Sequence, residues 1–204
     1  GKDALRVQNF TTATETYNVA VGHAAGEAVS TGIRNTLVGG LAGDALTDAD
    51  DNVAVGGLAL TSDVRGSKTT AIGRGTLGSQ NFTTATDSYN TAVGYFAGQQ
   101  VTTGIRNTLV GSLAGDALTD ADFNVALGYN TLGADTLGSH NTAIGYAALF
   151  TQNFTTATNS YNTAVGSNAG LSVTTGTHNP LNGGLAGDAL TTGPNNVAVG
   201  YNSL

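Results

Sequence analysis

The residues of this 204-residue chain that could do chemistry are few, and most sit inside repeated phrases. Acidic side chains outnumber basic ones by 14 to 7, three histidines are present, and Cys, Met and Trp are absent. Without cysteine there is no thiolate nucleophile, no disulfide frame and no zinc finger. The densest oxygen donors lie in GGLAGDALTDADD at 39–51 and GSLAGDALTDADF at 111–123. Hard cations take clustered carboxylates, so Asp44, Asp48 and Asp50 form a candidate cation site. The phrase lacks the order of an EF-hand and the nine-residue period of a calcium-binding roll, and the copy beginning at Gly184 loses most of its acids. The competing reading is a solvated acidic edge that keeps strand edges and neighbouring rods apart.

Catalytic constellations are poorly supported. Gly73 to Gly78 spells GxGxxG but opens no helix, so a dinucleotide cradle does not follow. His23, His140 and His178 fall in different or distant repeats. Glycoside hydrolysis needs two facing carboxylates. Asp44 and Asp116 occupy equivalent slots 72 residues apart, and the only glutamates are Glu15 and Glu27. The expectation is a protein that is not an enzyme and takes no cofactor. A formal charge of −7 with no basic run argues against nucleic acid as partner. No apolar run is long enough to span a membrane, and no signal peptide opens the chain.

The most distinctive phrase is QNFTTAT at 8–14, 80–86 and 152–158, running on each time to Tyr-Asn. It offers aromatic, hydroxyl and amide groups together, a combination that suits sugar rings. The candidate receptor loop is Asn9, Phe10, Thr11, Thr12, Thr14 and Tyr17 in the first copy. Its equivalents are Asn81, Phe82, Thr83, Thr84, Thr86 and Tyr89, then Asn153, Phe154, Thr155, Thr156, Thr158 and Tyr161. In the alternative, Phe and Tyr fold back to cap an enlarged coil and the loop is a strut. Asn9, Asn81 and Asn153 also head Asn-Phe-Thr sequons, which matter only in a eukaryotic secretory route.

These residues must be positioned by a repeat. The pattern Asn-(Thr/Val)-Ala-(Val/Ile/Leu)-Gly starts at Asn18, Asn35, Asn52, Thr69, Asn90, Asn107, Asn124, Asn141, Asn162, Asn179 and Asn196. The spacing runs 17, 17, 17, 21, and four units make a 72-residue block. QNFTTAT lies in the four-residue expansion of every fourth unit, so those residues are expected to bulge outward. The apolar slots shift in step. Eight residues past the Asn slot stand Gly26, Gly43, Leu60 and Leu77; three residues further stand Val29, Leu46, Asp63 and Gln80. A ladder of stacked units has this property. Seventeen residues are too few for two helices, and glycine with β-branched residues disfavours helix.

The predicted fold is all-β, a parallel β-solenoid of 17-residue coils with every fourth coil 21 residues. It forms a single domain over 1–204, in blocks 8–79, 80–151 and 152–204. Eleven coils would rise about 50 Å at the usual strand spacing. The Asn slots should stack and hydrogen-bond along one turn, and the glycine four residues on should mark a bend or a close backbone approach. Position 182, where Asn follows Pro180 and Leu181, should be an irregular coil.

Adjacent strand residues point to opposite faces, yet both are apolar in nearly every coil, as in Ala92-Val93. One column fills the coil. The other, expected to be the mostly Ala column with an occasional Leu, would form a stripe that soluble monomers avoid. Self-association, with three chains around one axis, is the expected remedy.

The phrases N90-TAVGYFA and N141-TAIGYAA resemble the YadA-like head repeats of trimeric autotransporter adhesins. The longer VALGYNTLGADTLGSHNTAIGYAAL is similar to repeats of bacteriophage tail fibres. The resemblance covers nearly the whole chain, although the 17- and 21-residue coils depart from the shorter adhesin repeat. It implies a left-handed β-roll and a homotrimer, from a fragment of a longer fibre. It also implies an extracellular setting, on a virion tail fibre or a bacterial surface. Function would be structural support of host attachment, or else an adhesive head binding glycan or matrix through the QNFTTAT loops.

Overall fold

The computed structural model describes residues 1–204 and contains no helix. The strands, in chain order, are β1 (Val19–Val21), β2 (Thr36–Val38), β3 (Val53–Val55), β4 (Gly66–Ser67) and β5 (Thr70–Ile72). Next come β6 (Thr86–Asp87), β7 (Thr91–Val93), β8 (Thr108–Val110), β9 (Val125–Leu127) and β10 (Gly138–Ser139). The last are β11 (Thr142–Ile144), β12 (Thr158–Asn159), β13 (Thr163–Val165), β14 (Pro180–Asn182) and β15 (Ala198–Val199). One strand from each coil joins an 11-stranded parallel sheet in sequence order, β1-β2-β3-β5-β7-β8-β9-β11-β13-β14-β15. The short pairs β4–β6 and β10–β12 form separately at the long coils. The chain is a parallel β-solenoid of about eleven turns, as the repeat predicts.

Register is unbroken. Thr70, Ala71 and Ile72 face Thr91, Ala92 and Val93 across a long coil, as Val53, Ala54 and Val55 face Thr70, Ala71 and Ile72 across a short one. The four extra residues are therefore absorbed on another side of the coil and never disturb the main ladder.

Three columns hold the stack. In the first, the Asn of one coil carries its Oδ1 to the backbone N–H of the next, as Asn35 does to Asn52 at 3.0 Å. The Asn35 Nδ2 donates to the Ala49 carbonyl at 2.8 Å, closing its own coil. Thr69 lacks the amide, and Ser88 from the long coil stands in: its Oγ lies 2.5 Å from Thr69 Oγ1 and accepts from the Asn90 N–H at 3.2 Å. The second column is the glycine that ends each strand. Gly94 sits at φ 141°, and a Cβ there would lie 2.4 Å from the Gly111 carbonyl oxygen. Both sequence readings of this glycine, bend and close approach, hold at once.

The third column is the core. Ala54, Ala71, Ala92, Ala126, Ala143 and Ala164 are fully buried, with Leu37, Leu109 and Leu181 replacing Ala once per block. The Leu positions compensate for glycine. A Cβ on Gly26 or Gly43 would lie 2.6 or 2.8 Å from the Leu37 methyls. Where that later slot is Leu60 or Leu77, the strand residue is Ala54 or Ala71, so the volume per coil stays matched.

Two expectations are corrected. The Ala/Leu column faces inward, and the outward stripe is the β-branched one, from Val21 through Val93 to Val199. The small residue is inside because a 17-residue coil is narrow. The coil at Asn179 is also regular: Pro180, Leu181 and Asn182 pair in register with Thr163, Ala164 and Val165. Pro180 and Asn182 face out, so neither disturbs packing. The cost is a single ladder bond, because proline has no N–H to reach the Asn196 carbonyl.

Candidate functional site

The long-coil loop is built on a buried carboxylate. Asp63 Oδ1 accepts from the N–H groups of Gly66 and Phe82, both at 3.0 Å, and Gln80 Nε2 donates to Oδ2 at 2.6 Å. Gln80 Oε1 in turn accepts from Asn90 Nδ2 at 2.9 Å. One carboxylate thus fastens the loop to the coil before it, and one amide fastens it to the Asn column. The second copy repeats this with Asp135, Gln152, Phe154 and Asn162. Burial pushes the Asp135 carboxyl above the ordinary carboxylate value, opposed by its bonds from Gln152, Phe154, Gly138 and Thr136. The swap of Val29 and Leu46 for Asp63 and Gln80, seen in the sequence as a moved apolar anchor, is this anchoring device.

The network decides which loop residues are displayed. Phe82 and Phe154 turn inward and are only 6% exposed. Thr83 to Ala85 bulge outward and are exposed, closed at their base by β4–β6, and Thr86 Oγ1 donates back to the Thr84 carbonyl at 3.0 Å. Asn81, Thr83, Thr84 and Tyr89 are exposed, as are Asn153, Thr155, Thr156 and Tyr161, while Thr86 and Thr158 are half-buried. In the first copy Asn9, Thr11, Thr12, Thr14 and Tyr17 are exposed and Phe10 is half-buried. Phenylalanine is thus a strut, whereas the threonines, asparagine and tyrosine are available.

Asp44, Asp48 and Asp50 are not brought together. Asp50 Oδ1 accepts from the Ile33 N–H at 2.8 Å, Asp44 Oδ1 from Thr61 Oγ1 at 2.6 Å, and Asp48 lies 3.4 Å from Arg65. No three acidic or histidine side chains stand close enough to hold a metal ion, and the surface has no pocket. At the slot equivalent to Asp44, Asp116 meets Gly133 instead of a threonine. Its Oδ1 is buried without a partner, and burial raises the carboxyl above its ordinary value.

The sequence reading missed one feature. The residue before each Asn slot adopts a left-handed backbone, φ 50–62°, from Tyr17 and Arg34 to His178 and Asn195. These side chains form a column along one edge of the sheet. Lys68 and Arg106 lie 5.3 and 5.9 Å from the Tyr89 ring. Arg106 lies 5.2 Å from Phe123; Phe123 to His140, His140 to Tyr161 and Tyr161 to His178 are 4.8, 4.9 and 5.3 Å apart. At the other edge, five residues past the Asn slot, Tyr129 and Tyr146 stack at 5.8 Å. The signal was present: that first column holds a large or charged residue in almost every coil, and reading the phase one residue earlier exposes it.

Between these edges lies the outward sheet face, two positions in each of eleven coils. It carries Val, Ile, Leu and Thr with one Pro and one Asn, and no charged residue. Val21 is 57% exposed and Val199 72%. Comparison with known proteins returned no matching family model, no matching curated protein and no matching solved structure.

Proposed function

We propose that this chain is a rigid structural segment of a surface fibre that self-associates as a homotrimer and supports attachment to a host. The single observation that carries the reading is the uncharged outward face, continuous over all eleven coils in a chain of net charge −7. A β-branched stripe of that length, open to water, is what soluble monomers avoid and what an interface between copies removes. Each coil presents the same face, so three copies can close around an axis and leave no stripe over. By resemblance the setting is extracellular, as a bacteriophage tail fibre or a related appendage. Light scattering at micromolar concentration should give close to three times the 20.3 kDa chain mass. A monomer under those conditions refutes the proposal.

A second reading has its own observation, the repeated display of Asn, Thr and Tyr on the long-coil bulges. Here the segment is an adhesive head whose loops bind glycan or matrix weakly, made effective by copy number. Thr83→Ala and Thr84→Ala, with the same changes in the other copies, should leave melting unchanged and abolish binding to a glycan array or to host cells. Unchanged binding refutes this reading.

A further inference from the structure

We infer that, in the self-associated state, the cation–aromatic column at one edge of the sheet face packs in level register against the tyrosine column at the opposite edge of a second copy. This rests on the self-association reading above. Within one chain the two columns cannot meet. The residues before and five after the Asn slot flank the three-residue strand at opposite ends, one on the left-handed turn before it and one beyond the glycine bend after it. When uncharged faces close around a three-fold axis, the leading edge of each copy lies beside the trailing edge of the next. Aromatic rings half open to water at both edges then gain a partner.

The placement of rings favours level coils over a slipped register. Rings at the trailing edge are His23, Tyr95, Tyr129, Tyr146 and Tyr201. Four of them share a coil with a leading-edge ring: Tyr17 with His23, Tyr89 with Tyr95, Phe123 with Tyr129, and His140 with Tyr146. Sliding one copy by a single coil halves the ring pairs from four to two, Tyr129 with His140 and Tyr146 with Tyr161 in one direction, Tyr146 with Phe123 and Tyr201 with His178 in the other, and sets Tyr95 against Arg106 or Lys68. The one like-charge pairing in level register, Lys68 with Arg74, is relieved within each chain. Lys68 lies 2.5 Å from Asp87, and Arg74 lies over the Phe96 ring at 5.2 Å. Aromatic rings and arginine are enriched in specific interfaces relative to the rest of a protein surface, and charge is depleted at their centre.

The test uses the absence of native cysteine. Phe123→Cys with Tyr129→Cys in the full chain should give covalent dimers and trimers with a short bismaleimide. His140→Cys with Tyr146→Cys provides a second pair, and either single variant should stay at chain mass on a denaturing gel. Phe123→Cys with Tyr95→Cys, two coils out of level, should cross-link at least tenfold less. A particle of three chains whose level pairs do not cross-link overturns the rim pairing and leaves self-association standing. Equal yield from the out-of-level pair overturns the register. A particle of one chain removes the premise instead, and scattering on the uncross-linked variants separates these outcomes.

Discussion

At the scale of the residue, the coil is governed by volume and by hydrogen-bond satisfaction in a very small cross-section. Gly94→Ala is expected to lower the thermal midpoint sharply and cost several kcal/mol, since φ 141° is strained for a side chain and the new Cβ would meet the Gly111 carbonyl. Leu109→Ala opens a cavity beside Gly98 and Gly115 and should cost about 2–5 kcal/mol in denaturant titration. Asp116 points the other way. Its carboxyl is raised by burial, so the ionised form is disfavoured by folding, and the handicap is full above the raised value. Asp116→Asn should therefore stabilise the chain at pH 7. The gain should fade as pH falls through the raised value toward the ordinary 3.8, because both forms are then neutral. Melting curves at pH 7 and pH 4 check the sign: a gain that grew on acidification would contradict the assignment.

At the scale of the element, the long coil shows how four residues are added without disturbing a ladder. The extra length leaves after Phe82 and returns at Thr86, while Asp63 clamps both sides of the gap. Phe82→Ala should cost about 3–5 kcal/mol if the bulge is held by its ring, with exchange protection lost first at residues 81–88. Much of this was legible in the sequence. The 17-residue spacing and its 21-residue exception named the solenoid, the stacked Asn column and the site of the bulge. What escaped was direction. Adjacent apolar residues show that both faces of a strand are apolar, but Ala92 and Val93 do not reveal which one looks inward. That depends on coil width, which is set by partner residues such as Gly98 and Leu77 on other sides. The role of the buried Asp63 escaped for a related reason: besides Gln80, its partners are the backbone N–H groups of Gly66 and Phe82, which leave no mark in a sequence. Position 182 does not disturb the coil because the Pro180 and Asn182 side chains lie on the outward face of an intact strand, and the missing Pro180 N–H removes only one bond to the next coil.

At the scale of the whole molecule, the inward and outward columns give a paired test of assembly. Ala92 is fully buried, and Ala92→Asp would put a charge in the narrow core with no partner, which the single chain cannot accommodate. Val93 is half-buried on the outward face, where a lone chain can turn a carboxylate to water within about 0.5 kcal/mol of wild-type stability. If three outward faces meet on an axis, Val93→Asp places three like charges together in the driest part of the particle. Val93→Asp is then expected to keep the circular dichroism of the parent while its scattering mass falls toward 20.3 kDa. Its melting should lose the concentration dependence that assembly confers. Val93→Thr, which matches the shape and keeps the face uncharged like its neighbour Thr91, should remain assembled. A Val93→Asp chain with unchanged mass and melting would mean that the uncharged face is covered by something other than its own copies.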